Sequence, residues 1–483
     1  MLETQKEESV RRLYPTSWKE SAAICGMIYF FEFCRNRFIS NPKYKLVDNE
    51  YLEYNVSDIQ GDEAEHNYLA YVEYTFKDRM HHKQIEEKLL STKELTDDDI
   101  KMVNDRMSGN SICKKVFKDI KKYSPEKHQL ILDTINKNRD LLIKETYRNT
   151  VYKSINNDKS LFKEPGDVAR LNNYYMDLPK KKKSMAYNWN YDTYECTDMI
   201  EYDFIPFAFT DTPIKFFINC NSKLTELKKF NENLKKRFDE VKKELFRYNY
   251  FQGLMDVSDM MDNNVEIIIL GSSGRNYNDY FETVYLRKDA IMLFRNLKEN
   301  MNDSLSVLKA PCKLSNGEYI NVADIVANYI VNYIFLDNLI MKLLMEKDKK
   351  NSIINGFLID KLIIINSLMY LGEYSQIQSY GGVAMKDSWK AKNAGRTICV
   401  ALKAKNAENK INTYRQKLSS ALSFKDYDRF CNILLQLSSY AEVSLDFAYD
   451  LFDDFEANKN LAFSFVNSLD SKKNREGEEN NEK

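Results

Sequence analysis

The sequence predicts an α+β fold that is predominantly helical, with mixed α/β character in its N-terminal and central part and a helical bundle at its C-terminal end. Three observations point there. Glycine (14) and proline (8) are scarce among 483 residues, so few positions interrupt a helix. Apolar residues recur at three- and four-residue intervals through most of 66–177 and 322–469. Between 200 and 320, short aromatic and β-branched runs alternate with turn residues.

Ser17 and Glu20 have the spacing of a capping box, in which a Ser oxygen and a Glu carboxylate close free N–H groups at a helix start. Trp18, Ala22, Cys25, Tyr29 and Phe33 then form one apolar face through about Arg35. YKLV and EYLEYNV flank Asp48 and Asn49 and read as a β-hairpin. From His66 to about Asp177, segments such as NYLAYVEYTFKDRM and PEKHQLILDTINKNRDLLIKETY are helical in pattern, and Pro125 suits a first helical turn. PKKKKSMAYNWNYDTYEC, residues 179–196, interrupts that pattern.

After it, FIPFAF, IKFFINCN, VEIIIL and YFETVYL read as strands, and KLSNGEYINV reads as a hairpin around Asn316-Gly317. The amphipathic stretch SKLTELKKFNENLKKRFDEVKKELF separates the two strand groups. Five or six helices follow, at about 322–346, 353–371, 383–404, 408–422, 426–439 and 445–469, the last with a break near Asn458. Gly372 and Gly381-Gly382 punctuate the joins. The expected organisation is a mostly helical region with an early hairpin at 1–178, a linker plus mixed α/β module at 179–320, a helical bundle at 321–470 and a disordered tail at 471–483.

Hydrophobic residues make up 43% and aromatic residues 13%, enough for real cores. The 71 basic and 72 acidic residues nearly cancel, so any polyanion partner must be met by local clustering. LETQKEESVRR after Met1 lacks the apolar core of a signal peptide, and IVNYIFLDNLIM is interrupted by Asn332, Asp337 and Asn338. A soluble, cytosolic chain without membrane association is expected. The eight cysteines contain no CxxC pair and read as free thiols, several in apolar surroundings, in a reducing compartment.

No motif for catalysis emerges. There is no G-x-x-x-x-G-K-[ST], and no His stands in an H-E-x-x-H or His-Asp pattern. His81 and His82 are adjacent and point about 100° apart on a helix, poor geometry for a shared metal. Asp97, Asp98 and Asp99 are explained by a helix N-terminus. The chain therefore reads as a non-enzyme without metal or cofactor.

Charge is distributed more tellingly. From Lys386 to Lys417, nine basic residues (Lys386, Lys390, Lys392, Arg396, Lys403, Lys405, Lys410, Arg415, Lys417) face two acidic ones, a local charge of +7. From Asp426 to Glu456 the balance is −7. Cations on one helical face can neutralise consecutive phosphates and release counterions; the competing reading is a solvated face paired with the acidic helices. Lys180, Lys181, Lys182 and Lys183, with Asn188 and Asn190 between Tyr187, Trp189 and Tyr191, combine cations, amides and stacking faces, or else form a solvated linker. Lys215, Asn219 and Asn221 in IKFFINCN, and Arg275 and Asn276 in the GSSGRNYND loop, complete the candidate nucleic-acid-binding set; that loop also reads as a plain turn.

SWKESAAICGMIYFFEF followed by YKLVDNEYLEYNV, FIPFAFTDTPIKFFINCNSKLTELKKFN, and NKINTYRQKLSSALSFKDYDRFCNILLQLSSYAEVSLDFAYDLFD with LAFSFVNSL occur in an order that resembles the large subunit of type I-B CRISPR surveillance complexes (Cascade). The resemblance implies a non-catalytic subunit that recognises the protospacer-adjacent motif in duplex DNA, contacts the crRNA and supports R-loop formation. Its implied partners are crRNA, target double-stranded DNA, the backbone, 5′-handle-binding and small subunits, and a helicase-nuclease recruited in trans. Relatives often carry paired cysteines before the Pro-Phe segment; only Cys196 stands there, so no zinc is expected. Met341, Met345 and Met369 are candidate internal starts for a separate small subunit. The rival expectation is a helical protein-interaction scaffold that binds no nucleic acid.

Overall fold

A computed structural model describes residues 10–48, 50–91, 95–164, 168–171, 198–220, 223–240, 250–272, 279–347, 349, 351–371 and 377–470. The chain forms two compact units, Met1–Phe246 with Val265–Val284, and Arg247–Asn264 with Tyr285–Lys483. It passes between them three times, so the division runs through the region 179–320 instead of following its ends.

In the first unit, β1 (Val10–Leu13) precedes α1 (Trp18–Asn36), β2 (Tyr44–Val47) and β3 (Tyr51–Asn55). The β2–β3 hairpin forms as expected, and β1 pairs antiparallel with β3 on its other side, Val10 opposite Asn55. Only Leu13 of VRRL is buried, so the strand left little hydrophobic signal in the sequence. Ser17 caps α1, its Oγ accepting the Lys19 N–H at 3.3 Å and donating to Glu20 Oε2 at 2.5 Å. The reciprocal capping box occurs at Thr96 and Asp99, ahead of a helix over Asp97–Met107.

Helices α2 (Asp62–Thr75), α3 (His81–Ser91), α4 (Asp97–Met107), α5 (Ser111–Val116), α6 (His128–Lys137) and α7 (Arg139–Tyr147) fill the expected helical stretch. Ile85, Val103, Ile131, Ile135 and Leu142 gather there into a core of their own. His82 is buried with Nε2 2.9 Å from Glu73 Oε1, and Arg139 Nη1 binds the same oxygen at 2.6 Å. This polar cluster ties α3 to α7.

FIPFAF is not a strand. Residues Ile200–Phe207 form a 3₁₀ helix, all of it buried. Pro206 has no N–H for a ladder, and the rings of Phe204 and Phe207 enter a cluster with Phe30, Tyr68 and Tyr71, Tyr71 and Phe207 having centroids 4.6 Å apart. Gly26 of α1 lies directly against this turn. A Cβ there would sit 2.0 Å from Phe204 O and 2.8 Å from Phe204 C, both backbone atoms that cannot rotate away. Gly26→Ala should therefore cost about 1–3 kcal/mol or more, read as a clear fall in Tm; an unchanged Tm would contradict this packing.

One ion pair is enclosed in the same core. Arg170 Nε donates to Asp203 Oδ1 at 3.0 Å, Nη1 to Asp198 O at 2.8 Å and Nη2 to Lys163 O at 2.5 Å. Asp203 also accepts the Tyr152 hydroxyl at 2.5 Å and the Phe162 N–H at 3.3 Å. Burial pushes the Asp203 carboxyl up to about 6, against the opposing pull of Arg170.

Strand β4 (Lys215–Asn219) is followed by α8 (Leu224–Glu240), α9 (Tyr250–Ser258), β5 (Val265–Ser272) and β6 (Asp279–Leu286). The strands form an antiparallel-edged sheet in the order β4-β5-β6, with Phe217 opposite Ile268.

The second unit is almost entirely helical: α9, α10 (Lys288–Leu305), a small hairpin of β7 (Cys312–Lys313) and β8 (Tyr319–Ile320), then α11 (Val322–Val331), α12 (Asp337–Glu346), α13 (Gly356–Leu371), α14 (Ile377–Ala404), α15 (Glu408–Ser423), α16 (Tyr427–Ala441), α17 (Ala448–Asp453) and α18 (Phe455–Ser468). The hairpin turns at Asn316-Gly317, Gly317 having φ 90°. Three details depart from expectation. The stretch 322–346 breaks at 332–336, Gly381 and Gly382 lie inside α14, and the last break falls at Asp454, whose carboxylate caps α18 through the Ala457 N–H at 3.0 Å. Asp is a strong N-cap, which fixes the break four residues before Asn458.

Candidate nucleic-acid interface

The basic segment 386–417 occupies α14, the turn after it and α15. Helical phase decides which of its charges reach solvent. On α14, Trp389, Arg396 and Val400 are exposed, and spacings of seven and eleven residues bring them within about 20° of one line. Lys390 is exposed on the adjoining face. On α15, Lys410 and Lys417 are exposed and seven residues apart, hence nearly eclipsed.

Arg415 is the correction in this set. It is buried, about 140° around α15 from Lys410, in line with Ile411, Leu418 and Leu422 of the core face. Its Nη1 donates to Leu469 O at 2.5 Å and its Nη2 to Asn412 Oδ1 at 3.3 Å. Arg415→Met should lower stability by about 1.5–3 kcal/mol, the value of hydrogen bonds to a charged group, while leaving the salt dependence of oligonucleotide binding unchanged. A change in salt dependence would return Arg415 to the interface.

Other cations are held by carboxylates. Lys392 pairs with Asp360 of α13 at 2.7 Å, Lys403 with Glu408 at 3.5 Å, and Lys405 with Glu442 at 2.7 Å. Lys405 also draws the Glu442 carboxyl below its ordinary range. Lys410 lies over the Tyr440 ring at 3.9 Å. Carboxylates from three places, with Glu442 alone coming from the acidic segment, thus neutralise part of the patch, and Arg396, Lys410 and Lys417 are among its exposed cations. Lys386 lies on the backbone of α14.

In the first unit, Lys215 and Asn219 do not form a surface. Both are buried in β4; Lys215 Nζ donates to Thr212 O at 3.2 Å and Asn219 Nδ2 to Glu266 Oε2. The strand is covered on both faces, and its fully apolar centre, Phe216 to Ile218, was the signal for that. Lys180, Lys181, Lys182, Lys183, Asn188, Asn190, Asn221, Arg275 and Asn276 lie outside the described residues.

Among the described residues, no three His, Cys, Asp or Glu side chains are grouped to hold a metal ion. Cys25, Cys34, Cys113, Cys312 and Cys399 are buried free thiols, and Cys220 and Cys431 are partly buried ones. Among the described residues, no helix is long and apolar enough to cross a membrane. Trp389 was missed at the sequence level; its place in phase with Arg396 could have revealed it.

The family described as CRISPR-associated protein Csx8 matches residues 11–251 and 239–469, and the chain belongs to that family. No curated protein matches the chain. Family membership implies work alongside other CRISPR components.

Proposed function

We propose that the chain is the large, non-catalytic subunit of a crRNA-guided surveillance complex of the type I-B kind. In this reading it recognises the protospacer-adjacent motif in duplex DNA, supports R-loop formation and recruits a separate helicase-nuclease. Membership of a CRISPR-associated family over nearly the whole chain is the observation that carries the reading. The exposed cations of α14 and α15 supply phosphate contacts consistent with it, steering a polyanion without reading sequence. Lys180 to Lys183, with Asn188 or Asn190, are the proposed approach to duplex phosphates and base edges.

The deciding experiment is to purify the tagged protein from its native cells at low salt and sequence the bound RNA. Short RNAs of uniform length sharing one constant 5′ end are the expected result; partners that all lack RNA would overturn it. A second reading, a protein-interaction scaffold, is favoured by the internal pairing of Lys392, Lys403 and Lys405. Heparin retention that disappears when the exposed cations Arg396, Lys410 and Lys417 are neutralised would argue against the scaffold.

A further inference from the structure

SICKKVFKDIKK, residues 111–122, folds against the separate core of α3 to α7 and leaves five lysines outside it. Asn110 caps α5, its Oδ1 accepting the Cys113 N–H at 2.8 Å. The chain then winds one turn further, the Phe117 N–H donating to Cys113 O at 2.9 Å and the Lys121 N–H to Phe117 O at 3.2 Å. Ile112, Cys113, Phe117 and Ile120 are buried in that core, so this side of the segment faces inward. Lys114, Lys115, Lys118, Lys121 and Lys122 are all exposed. They face one acidic residue in the segment, Asp119, a local charge of +4.

These cations are uncommitted. Among the described residues, no carboxylate pairs with any of the five ammonium groups, and none of the five lies over an aromatic ring. Elsewhere in the same unit Lys83, Lys88 and Lys144 pair with Glu86, Asp99 and Glu65. The end of the segment is tied down: Lys127 Nζ donates to Ile120 O at 3.0 Å, and the Tyr123 N–H to Asn104 Oδ1 at 2.7 Å. Lys121 has φ 58°, the left-handed backbone that glycine adopts without crowding. A lysine strains that backbone, and its ammonium forms no ion pair within the fold.

We infer that this segment is a contact site for the phosphates of a nucleic-acid duplex, bound without regard to sequence. Its five charges span about 12 Å of helical rise. A duplex carries one phosphate charge per about 1.7 Å of axis, on the order of seven over that length. A single strand has about half that density, and the segment's one ring, Phe117, is buried and cannot stack on a base. A protein partner fits less well. Protein interfaces enrich aromatic residues and arginine and deplete lysine, whereas every exposed cation here is lysine and Ile112, Phe117 and Ile120 are turned inward. The site belongs to the first unit and α14 and α15 to the second, and it stands whether or not the chain works in a guide complex.

The test uses the full chain and short fluorescently labelled DNA and RNA duplexes of unrelated sequences, followed by anisotropy over a range of salt concentrations. Replacing Lys114, Lys118 and Lys122 together with Gln should reduce the slope of log affinity against log salt by about 2–3, equally for every sequence. Replacing the same three with Arg should keep the slope. Lys121→Gly should reduce it by about 0.9 while raising Tm, since glycine relieves the left-handed turn; this excludes misfolding as the cause of the loss. The relative affinity of the two duplexes shows whether DNA or RNA is bound. No binding by the unaltered chain, or an unchanged slope in both the Gln and the Gly variants, overturns the proposal. Loss of a co-purifying protein with unchanged duplex binding overturns it too, and makes the segment a protein contact. Purified protein free of RNA whose duplex binding still depends on these lysines removes the guide-complex reading alone.

Discussion

Arg170→Met should destabilise the fold by about 3–5 kcal/mol, because it leaves a buried carboxylate without its countercharge. Asp203 would keep the Tyr152 hydroxyl and the Phe162 N–H, but lose the guanidinium that also binds Asp198 O and Lys163 O. The loss carries a pH signature with a definite sign. Burial already lifts the Asp203 carboxyl from 3.8 to about 6, and removing the positive charge lifts it further. Folded variant and folded parent then differ most at high pH, where the parent keeps a charged Asp203 that the variant tolerates poorly. As pH falls toward 6 and below, both take up the proton and the electrostatic part of the deficit disappears. Urea midpoints at pH 8 and pH 5 would show this; an equal deficit at both would mean that Arg170 serves only by packing. Arg170→Met combined with Asp203→Leu should recover part of the loss, since an apolar pair leaves no charge stranded.

The second large effect concerns the helical cations. Replacing Arg396, Lys410 and Lys417 together with Gln should weaken duplex DNA binding on the order of 100-fold or more at 0.1 M salt and reduce the salt slope by about 2–3. All three are exposed, whereas the neighbouring Lys392 and Lys405 already have carboxylate partners. Replacing Lys392 and Lys405 instead should change the slope less. Equal effects from the two sets would mean that internal pairs open on binding, and no effect from either would favour the scaffold.

Much of the helical layout was legible because periodicity is a direct record of burial. Helices α1, α13, α15 and α16 fall close to where their apolar residues place them, and both hairpins formed around Asp48-Asn49 and Asn316-Gly317. The misses have separate causes. Composition made FIPFAF a strand, but Pro206 and ring packing made it a 3₁₀ turn. Gly381 and Gly382 resembled a joint, yet α14 runs through them, since glycine weakens a helix without forbidding it. At the site, counting charge along the sequence gathered nine cations, whereas counting it around the helix would have set Arg415 aside at once. Lys215 and Asn219 were hidden by their two-sided strand.

The three passages of the chain between units bear on synthesis at the ribosome. The first unit takes residues up to Phe246 and then Val265–Val284, so its sheet is incomplete until β5 and β6 have emerged. By then α9, which belongs to the second unit, has already been made and must wait for α10. Neither unit can therefore fold and be sealed before the other begins, unlike a pair of domains joined end to end. The same threading limits what a shorter product can be. Met341 and Met345 lie within α12 and Met369 within α13, so translation from any of them would begin inside a helix and omit α9, α10 and α11 of the second unit. Such a product would be a fragment needing surfaces supplied by something else, and its lifetime in the cell would be set by how soon it found them.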